Sequence, residues 1–278
     1  MSVSAFSIYL LIGASFAGLI GSLTGLGGGV LLVPMLVLLF HVNLRYAVGA
    51  SLISVIATSS GAAAAYLSEG YTNLRIGMFL QVAATAGAIG GAVLAAYLHA
   101  ATISVIFGLV LFYSAYMSYR RKEESEGGGP SDWLATRLQM EGTYPNPPEW
   151  KSYRVYNTMG GFSLMLVAGT LSGLLGIGSG AVKVLAMDQL MRLPYKVSTT
   201  TSNFMIGITA AASAGVYLLQ GFIDPGLTMP VMIGVLVGAF SGAKLLMKVP
   251  TKPLRVFFSF IVFIMAIEMI YSGLTGKL

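Results

Sequence analysis

The chain has 278 residues, 56% of them hydrophobic and only 9% charged, with a formal net charge of +6 and no cysteine. Soluble domains carry about 25% charged residues, so a water-soluble fold is excluded, and the missing cysteines exclude disulfide and thiol chemistry. No basic stripe with interleaved aromatics appears, so the positive charge does not indicate nucleic acid; with a mean hydropathy of +0.81 it fits an integral membrane protein with basic cytoplasmic loops.

The apolar runs are long and lack period-two alternation, which predicts helices rather than barrel strands. Met1–Ala5 carry no basic residue, so no removable leader is expected. A first apolar segment covers 6–23 and ends at Gly25-Leu26-Gly27-Gly28-Gly29. A shorter segment with Pro34 follows over 30–41, too short to span comfortably, so the pair is expected to be a hairpin entering and leaving by one face. Helices follow over 44–68, 75–98 and 101–119, the first rich in the small residues that permit close helix contact in lipid. Residues 120–154 differ: Arg120, Arg121 and Lys122, then three acids, Gly127-Gly128-Gly129-Pro130 and three further prolines mark a solvated linker. Trp133, Leu134 and Leu138 suggest a short amphipathic helix within it. The second half runs from 156 to 175, breaks at Gly176-Ile177-Gly178-Ser179-Gly180, returns over 181–191, and continues with helices near 197–220, 228–249 and 254–274.

Shifting the chain by 151 positions aligns the halves without a gap. Gly18 falls on Gly169, Gly25 on Gly176, Gly27 on Gly178, Gly29 on Gly180, Ser51 on Ser202, Thr58 on Thr209 and Gly87-Ala88 on Gly238-Ala239. The domain reading is therefore a first transmembrane repeat over 1–119, a cytoplasmic linker over 120–154 and a second repeat over 155–278. The fold class expected is an all-α polytopic membrane protein. It consists of two inverted repeats, each a glycine-broken re-entrant hairpin plus three transmembrane helices. Lys and Arg place the linker and the loops holding Arg192, Lys196 and Lys248–Arg255 in the cytoplasm. If 30–41 and 181–191 span instead of returning, the inversion is lost.

Glycine breaks free backbone N–H groups that lipid cannot satisfy, and such groups suit an anion. Their alternative use is close helix packing. The candidate substrate site therefore comprises Gly27, Gly28, Gly29, Gly178, Ser179 and Gly180. Added to these are Ser51, the hydroxyl-rich stretch with Thr201, Ser202 and Asn203, and Lys183 as counter-charge. A lysine inside a membrane helix costs roughly 2.5–3.5 kcal/mol on insertion scales. Either an anion or Asp188 offsets that, or the side chain snorkels to the cytoplasmic face; Asp188 is also spaced to pair with Arg192. Glu268 in the last segment stands as a proton carrier or an interface carboxylate, and His41 and His99 as interfacial residues. No metal-ligand spacing, catalytic nucleophile–base set or nucleotide-binding loop is present, so neither enzymatic activity nor a cofactor is expected.

The paired motifs Gly25-Leu26-Gly27-Gly28-Gly29-Val30 and Gly176-Ile177-Gly178-Ser179-Gly180-Ala181, with Ala50-Ser51-Leu52 and Thr201-Ser202-Asn203-Phe204, resemble the TauE/SafE family of sulfite exporters and sulfonate permeases. The resemblance covers nearly the whole chain except the linker. Ser179 stands in place of a family glycine and Leu185 where the family often has proline. The resemblance implies a plasma-membrane transporter for a small anion such as sulfite, thiosulfate or an organosulfonate, with export as the expected direction. The expected partners are that anion, the lipid bilayer and a coupling proton or cation, the last left open. A passive anion channel and a non-transporting membrane scaffold or sensor remain the competing readings.

Overall fold

A computed structural model describes residues 3–24, 29–68, 71–119, 131–146, 149–246 and 251–276. The described chain is helical except for one small hairpin. In the first half, α1 (Val3–Thr24) leads to a short α2 (Gly29–Leu38), then α3 (Leu44–Ser68), α4 (Leu74–Tyr97) and α5 (Ala100–Tyr119). The second half repeats that order with α7 (Thr158–Leu175), α8 (Gly180–Leu185), α9 (Tyr195–Leu219), α10 (Pro225–Leu246) and α11 (Thr251–Thr275). Among the described residues α4, α7 and α9 are long and apolar enough to cross a membrane, and five shorter apolar stretches accompany them. Large apolar side chains such as Ile12, Phe16, Val82, Leu219 and Phe240 are exposed around the bundle, as a lipid-facing surface requires.

Each short helix doubles back on the long one before it. Phe40, just past α2, packs edge-on against Phe6 at the start of α1, with ring centroids 6.1 Å apart. In the second half the Tyr156 N–H donates to the Met191 carbonyl at 3.2 Å, and the Met191 side chain lies over Gly161. Helix α8 does not run on as an α-helix. Past Leu185, where the first half has Pro34, it widens into one π turn over Ala186–Leu190, a form found mostly as local bulges inside helices.

Backbone contact at glycine sets the main crossings. Gly18 lies against the backbone of Val235 and Gly169 against that of Ala84. Gly87 lies against Leu166 and Thr170, and Gly238 against Ser15 and Leu19. The two members of each pairing differ by the same 151 positions with the halves exchanged. Helix α1 therefore packs on α10 as α7 packs on α4, while α3 meets α9 and α5 meets α11. Helices without a hydrophobic drive between them gain most from such close approach.

Equivalent turns sit at opposite ends of the bundle. The turn between α9 and α10 caps the start of α3: Arg45 stacks on Phe222 at 5.3 Å, and Gly49 packs on the Phe222 carbonyl. Arg45 also donates to the carbonyls of Ala96 and Leu98 at 3.2 and 3.1 Å, satisfying orphan acceptors at the end of α4. The turn between α3 and α4 lies at the far end, where the Asn73 N–H donates to Thr201 Oγ1 at 3.1 Å.

The described part of the linker packs on that far end instead of standing free in solvent. It forms α6 (Trp133–Arg137) and an antiparallel hairpin of β1 (Gly142–Asn146) and β2 (Glu149–Tyr153). Ala135, Met140 and Val155 are buried in one cluster with Ile76, Leu80, Met165 and Met187. Trp133 and Leu138, the apolar residues that suggested an amphipathic helix, are exposed, and the residues doing the packing are smaller and less conspicuous. Asn73 pins the hairpin by donating to the Met140 carbonyl at 2.8 Å and the Tyr153 hydroxyl at 2.6 Å. Burial raises the Tyr153 phenol above its ordinary pKa, against a smaller lowering from Asn73.

Candidate functional site

The second glycine break needs its glycines for conformation. Gly176 and Gly178 have φ of 69° and 70°, a region open to glycine at little cost. Ser179 shares that left-handed geometry at φ 48°, which explains why glycine is the easier residue there. The last residue of the first break, Gly29, approaches this second break closely. A Cβ placed on Gly29 would lie 3.1 Å from Ser51 Oγ and 3.3 Å from the Gly176 carbonyl oxygen. Ser51 donates to that same carbonyl at 2.8 Å, joining α3 of the first half to the break of the second. Gly178 fits between Ile206 of α9 and Val55 of α3. Gly27 and Gly28 lie outside the described residues.

The hydroxyl-rich start of α9 divides between several tasks. Thr201 holds the α3–α4 turn through Asn73. Ser202 points at the Gly180 carbonyl at 3.4 Å. Thr199 and Thr200 return their hydroxyls to carbonyls one turn back, at 2.8 and 2.9 Å, the local bonding such residues favour in helices. Asn203 is half-buried. Ser179 Oγ is buried and, among the described residues, unpartnered.

Lys183 is fully buried, and its direction is informative. Long side chains on helices point back toward the N-terminus, here toward the glycine break. Its Nζ donates to Thr209 Oγ1 at 2.7 Å. Thr209 is seven residues deeper along α9 than Ser202, about 10 Å further from the linker end. The ammonium therefore points into the bundle, away from the basic loops of the linker end. Asp188, on the π turn, is half-buried and engaged in contacts of its own. Glu268, His41 and His99 are exposed.

Two residues that the sequence reading passed over complete the surroundings of Lys183. Gln81 of α4 donates from Nε2 to Thr209 Oγ1 at 3.2 Å and to Thr85 Oγ1 at 2.7 Å. Thr209 in turn donates to the Met205 carbonyl at 2.7 Å. The first half and the second thus meet at a single hydroxyl. The sequence marks Gln81 only as the one side-chain amide of α4, a helix that also carries Arg75 and Thr85, which does not by itself point to Lys183. Among the described residues no group of histidine, cysteine and carboxylate side chains is arranged to hold a metal.

Comparison with known proteins agrees in length and type. The pattern of the sulfite exporter TauE/SafE family matches residues 10–269. The chain is 26% identical to the probable membrane transporter protein YunE of Bacillus subtilis, covering 97% of this chain and 99% of that one. It is 28% identical to the probable membrane transporter protein YdhB of the same organism, covering 86% and 89%. No solved structure matches it significantly.

Proposed function

The chain belongs to the sulfite exporter TauE/SafE family, a family of multi-pass membrane transporters rather than enzymes, and we propose that it is a secondary transporter that exports a small sulfur-containing anion. The anion, sulfite, thiosulfate or an organosulfonate, is held between the two glycine-broken hairpins with Lys183 as its counter-charge. One observation carries this reading. Lys183 is completely buried, and its one hydrogen-bond partner among the described residues is a neutral hydroxyl. An unpaired ammonium in a membrane interior costs roughly 2.5–3.5 kcal/mol, and a bound anion offsets that cost.

The architecture supports a carrier. In this reading the two halves are inverted repeats, and α1–α2 and α7–α8 are re-entrant hairpins meeting at the midplane. Equivalent turns at opposite ends of α3 favour the inversion, and the contacts of Phe40 and Met191 favour hairpins that return to their entry face. The linker end is cytoplasmic, because Arg75, Arg137, Lys151, Arg154, Arg192 and Lys196 gather there, whereas Arg45 is the basic residue described at the other end. For an anion leaving the cell, the inside-negative potential contributes ~2.3 kcal/mol per charge at 100 mV.

The test is counterflow in proteoliposomes with sulfite, thiosulfate and sulfonates, on wild type and Lys183→Met. Exchange accelerated by substrate on the far side, and abolished in Lys183→Met, is the expected result. Flux without that acceleration identifies a channel. Full exchange in the variant removes Lys183 from the site.

A further inference from the structure

Around Thr209 the hydrogen-bond capacity is not balanced. The Thr209 hydroxyl is saturated, accepting from Lys183 Nζ and Gln81 Nε2 and donating to the Met205 carbonyl. Both amide hydrogens of Gln81 are in use, on Thr209 and Thr85. Two capacities remain beside that hydroxyl. Lys183 has spent one of its three N–H donors among the described residues. Gln81 Oε1, an acceptor on a side chain about nine-tenths buried, has no partner among them. Since both nitrogens touch one oxygen, at 2.7 and 3.2 Å, these free donors and this free acceptor flank the same hydroxyl. Neither residue is duplicated, because the positions equivalent to Lys183 and Gln81 in the other half are Leu32 and Met232.

An anion with acceptor oxygens alone fills only half of this arrangement. It satisfies Lys183 and leaves the Gln81 carbonyl buried and unpaired, which is unfavourable for a desolvated acceptor. A metal cation on Oε1 would face the Lys183 ammonium close by, in a medium that screens poorly. A single molecule offering both an anionic oxygen and a hydrogen-bond donor satisfies everything. We propose that Gln81 is a specificity-determining residue and that the bound anion carries its own O–H or N–H donor, which Gln81 Oε1 accepts while Lys183 holds the charged oxygens.

This rests on the anion reading above and goes further, so the two need separable failures. The probes are 2-hydroxyethanesulfonate and ethanesulfonate, which share the sulfonate and differ by one hydroxyl. Binding to the full-length protein in nanodiscs is measured by calorimetry for wild type, Gln81→Met and Gln81→Leu. Sites built to pair a substrate hydroxyl reject the analogue lacking it far more strongly than sites that lose mere bulk. Wild type is expected to bind the hydroxylated ligand about tenfold more tightly or better. Both variants are expected to bring the ratio within about twofold, chiefly by weakening the hydroxylated ligand. A wild-type ratio near one, with ethanesulfonate bound, overturns the proposal and leaves the anion reading standing. Equal weakening of both ligands in the variants assigns Gln81 to packing and also overturns it. Binding of neither ligand to wild type overturns it together with the sulfonate part of the anion reading. The wild-type ratio needs no variant, so poor folding of a Gln81 substitution leaves the test intact.

Discussion

Lys183 and Ser51 show how differently two buried polar residues serve the same region. The Lys183 ammonium is buried against a neutral hydroxyl, a burial that costs stability as long as no anion faces it. Replacing such a charge by an apolar side chain of similar volume is often stabilising. Lys183→Met is therefore expected to raise the melting temperature of the ligand-free protein while removing the rise that sulfur anions produce in wild type. A lowered melting temperature would mark Lys183 as structural. Ser51 is the opposite case. Its hydroxyl satisfies the buried Gly176 carbonyl at 2.8 Å, and Ser51→Ala leaves that acceptor orphaned at a cost of about 1–3 kcal/mol. A thermal shift read on the purified variant, with no anion present, checks it; an unchanged midpoint would show that the carbonyl finds another donor. Lys183 stood out in the sequence as a charge in an apolar run, but pairing with Asp188 and snorkelling stayed open there, and its complete burial against Thr209 is visible only in the fold. Gln81 and Thr209 did not stand out, because what singles them out is the direction in which they point, and helical spacing alone does not place residues of α4 and α9 against each other. Thr201 is a similar case: its hydroxyl sits in the expected dense run and accepts from the Asn73 N–H, a contact that its place in the sequence does not reveal.

At the scale of elements, the linker is the part the sequence conveyed least. Its charges and prolines read as solvated chain, and much of it is exposed, but three modest apolar residues, Ala135, Met140 and Val155, bury it against α4 and α7. The β1–β2 pairing was hidden because Pro145 and the proline pair at 147–148 contradict a strand on propensity alone. A two-stranded hairpin is only marginally stable by itself, so its order depends on docking. Asn73 concentrates that docking: its Oδ1 caps α4 through the Ile76 N–H at 3.1 Å, while its Nδ2 reaches Met140 and Tyr153. Asn73→Asp keeps the cap and sets a carboxylate oxygen against the Met140 carbonyl, losing that bond, while the Tyr153 hydroxyl can turn to donate to it. It is expected to speed hydrogen exchange across 142–153 severalfold with exchange in α4 unchanged, whereas Asn73→Ala is expected to loosen both. Equal protection in wild type and Asn73→Asp would show that the buried apolar residues alone hold the linker. The glycine crossings, by contrast, were legible, since matching glycines such as Gly18 and Gly169 recur at equivalent places and each meets a neighbouring backbone.

For the whole molecule, function turns on whether the halves face opposite ways. A bundle with both halves in the same sense would place equivalent turns at the same surface. Here Asp224 belongs to the turn beside Arg45 at the start of α3, while its equivalent, Asn73, neighbours Arg75 and the docked linker. In the proposed arrangement α1 with α2, like α7 with α8, enters and leaves at one end and leaves each half an odd number of crossings, a reading that the Phe40–Phe6 and Tyr156–Met191 contacts support. In the proposed inverted arrangement a site between the halves would be exposed alternately as one moves against the other. With single cysteines introduced at Arg75 and at Asp224 in a chain that has none of its own, a membrane-impermeant maleimide applied to intact cells is expected to label the Asp224 position only. The Arg75 position should react only after the membrane is opened, as the basic linker end requires. Labelling of both from the outside would overturn the inverted arrangement and, with it, alternating access between two halves. The reverse pattern would keep the inversion but move the linker outside the cell, and the inside-negative potential would then no longer single out the linker end as the side from which the anion departs.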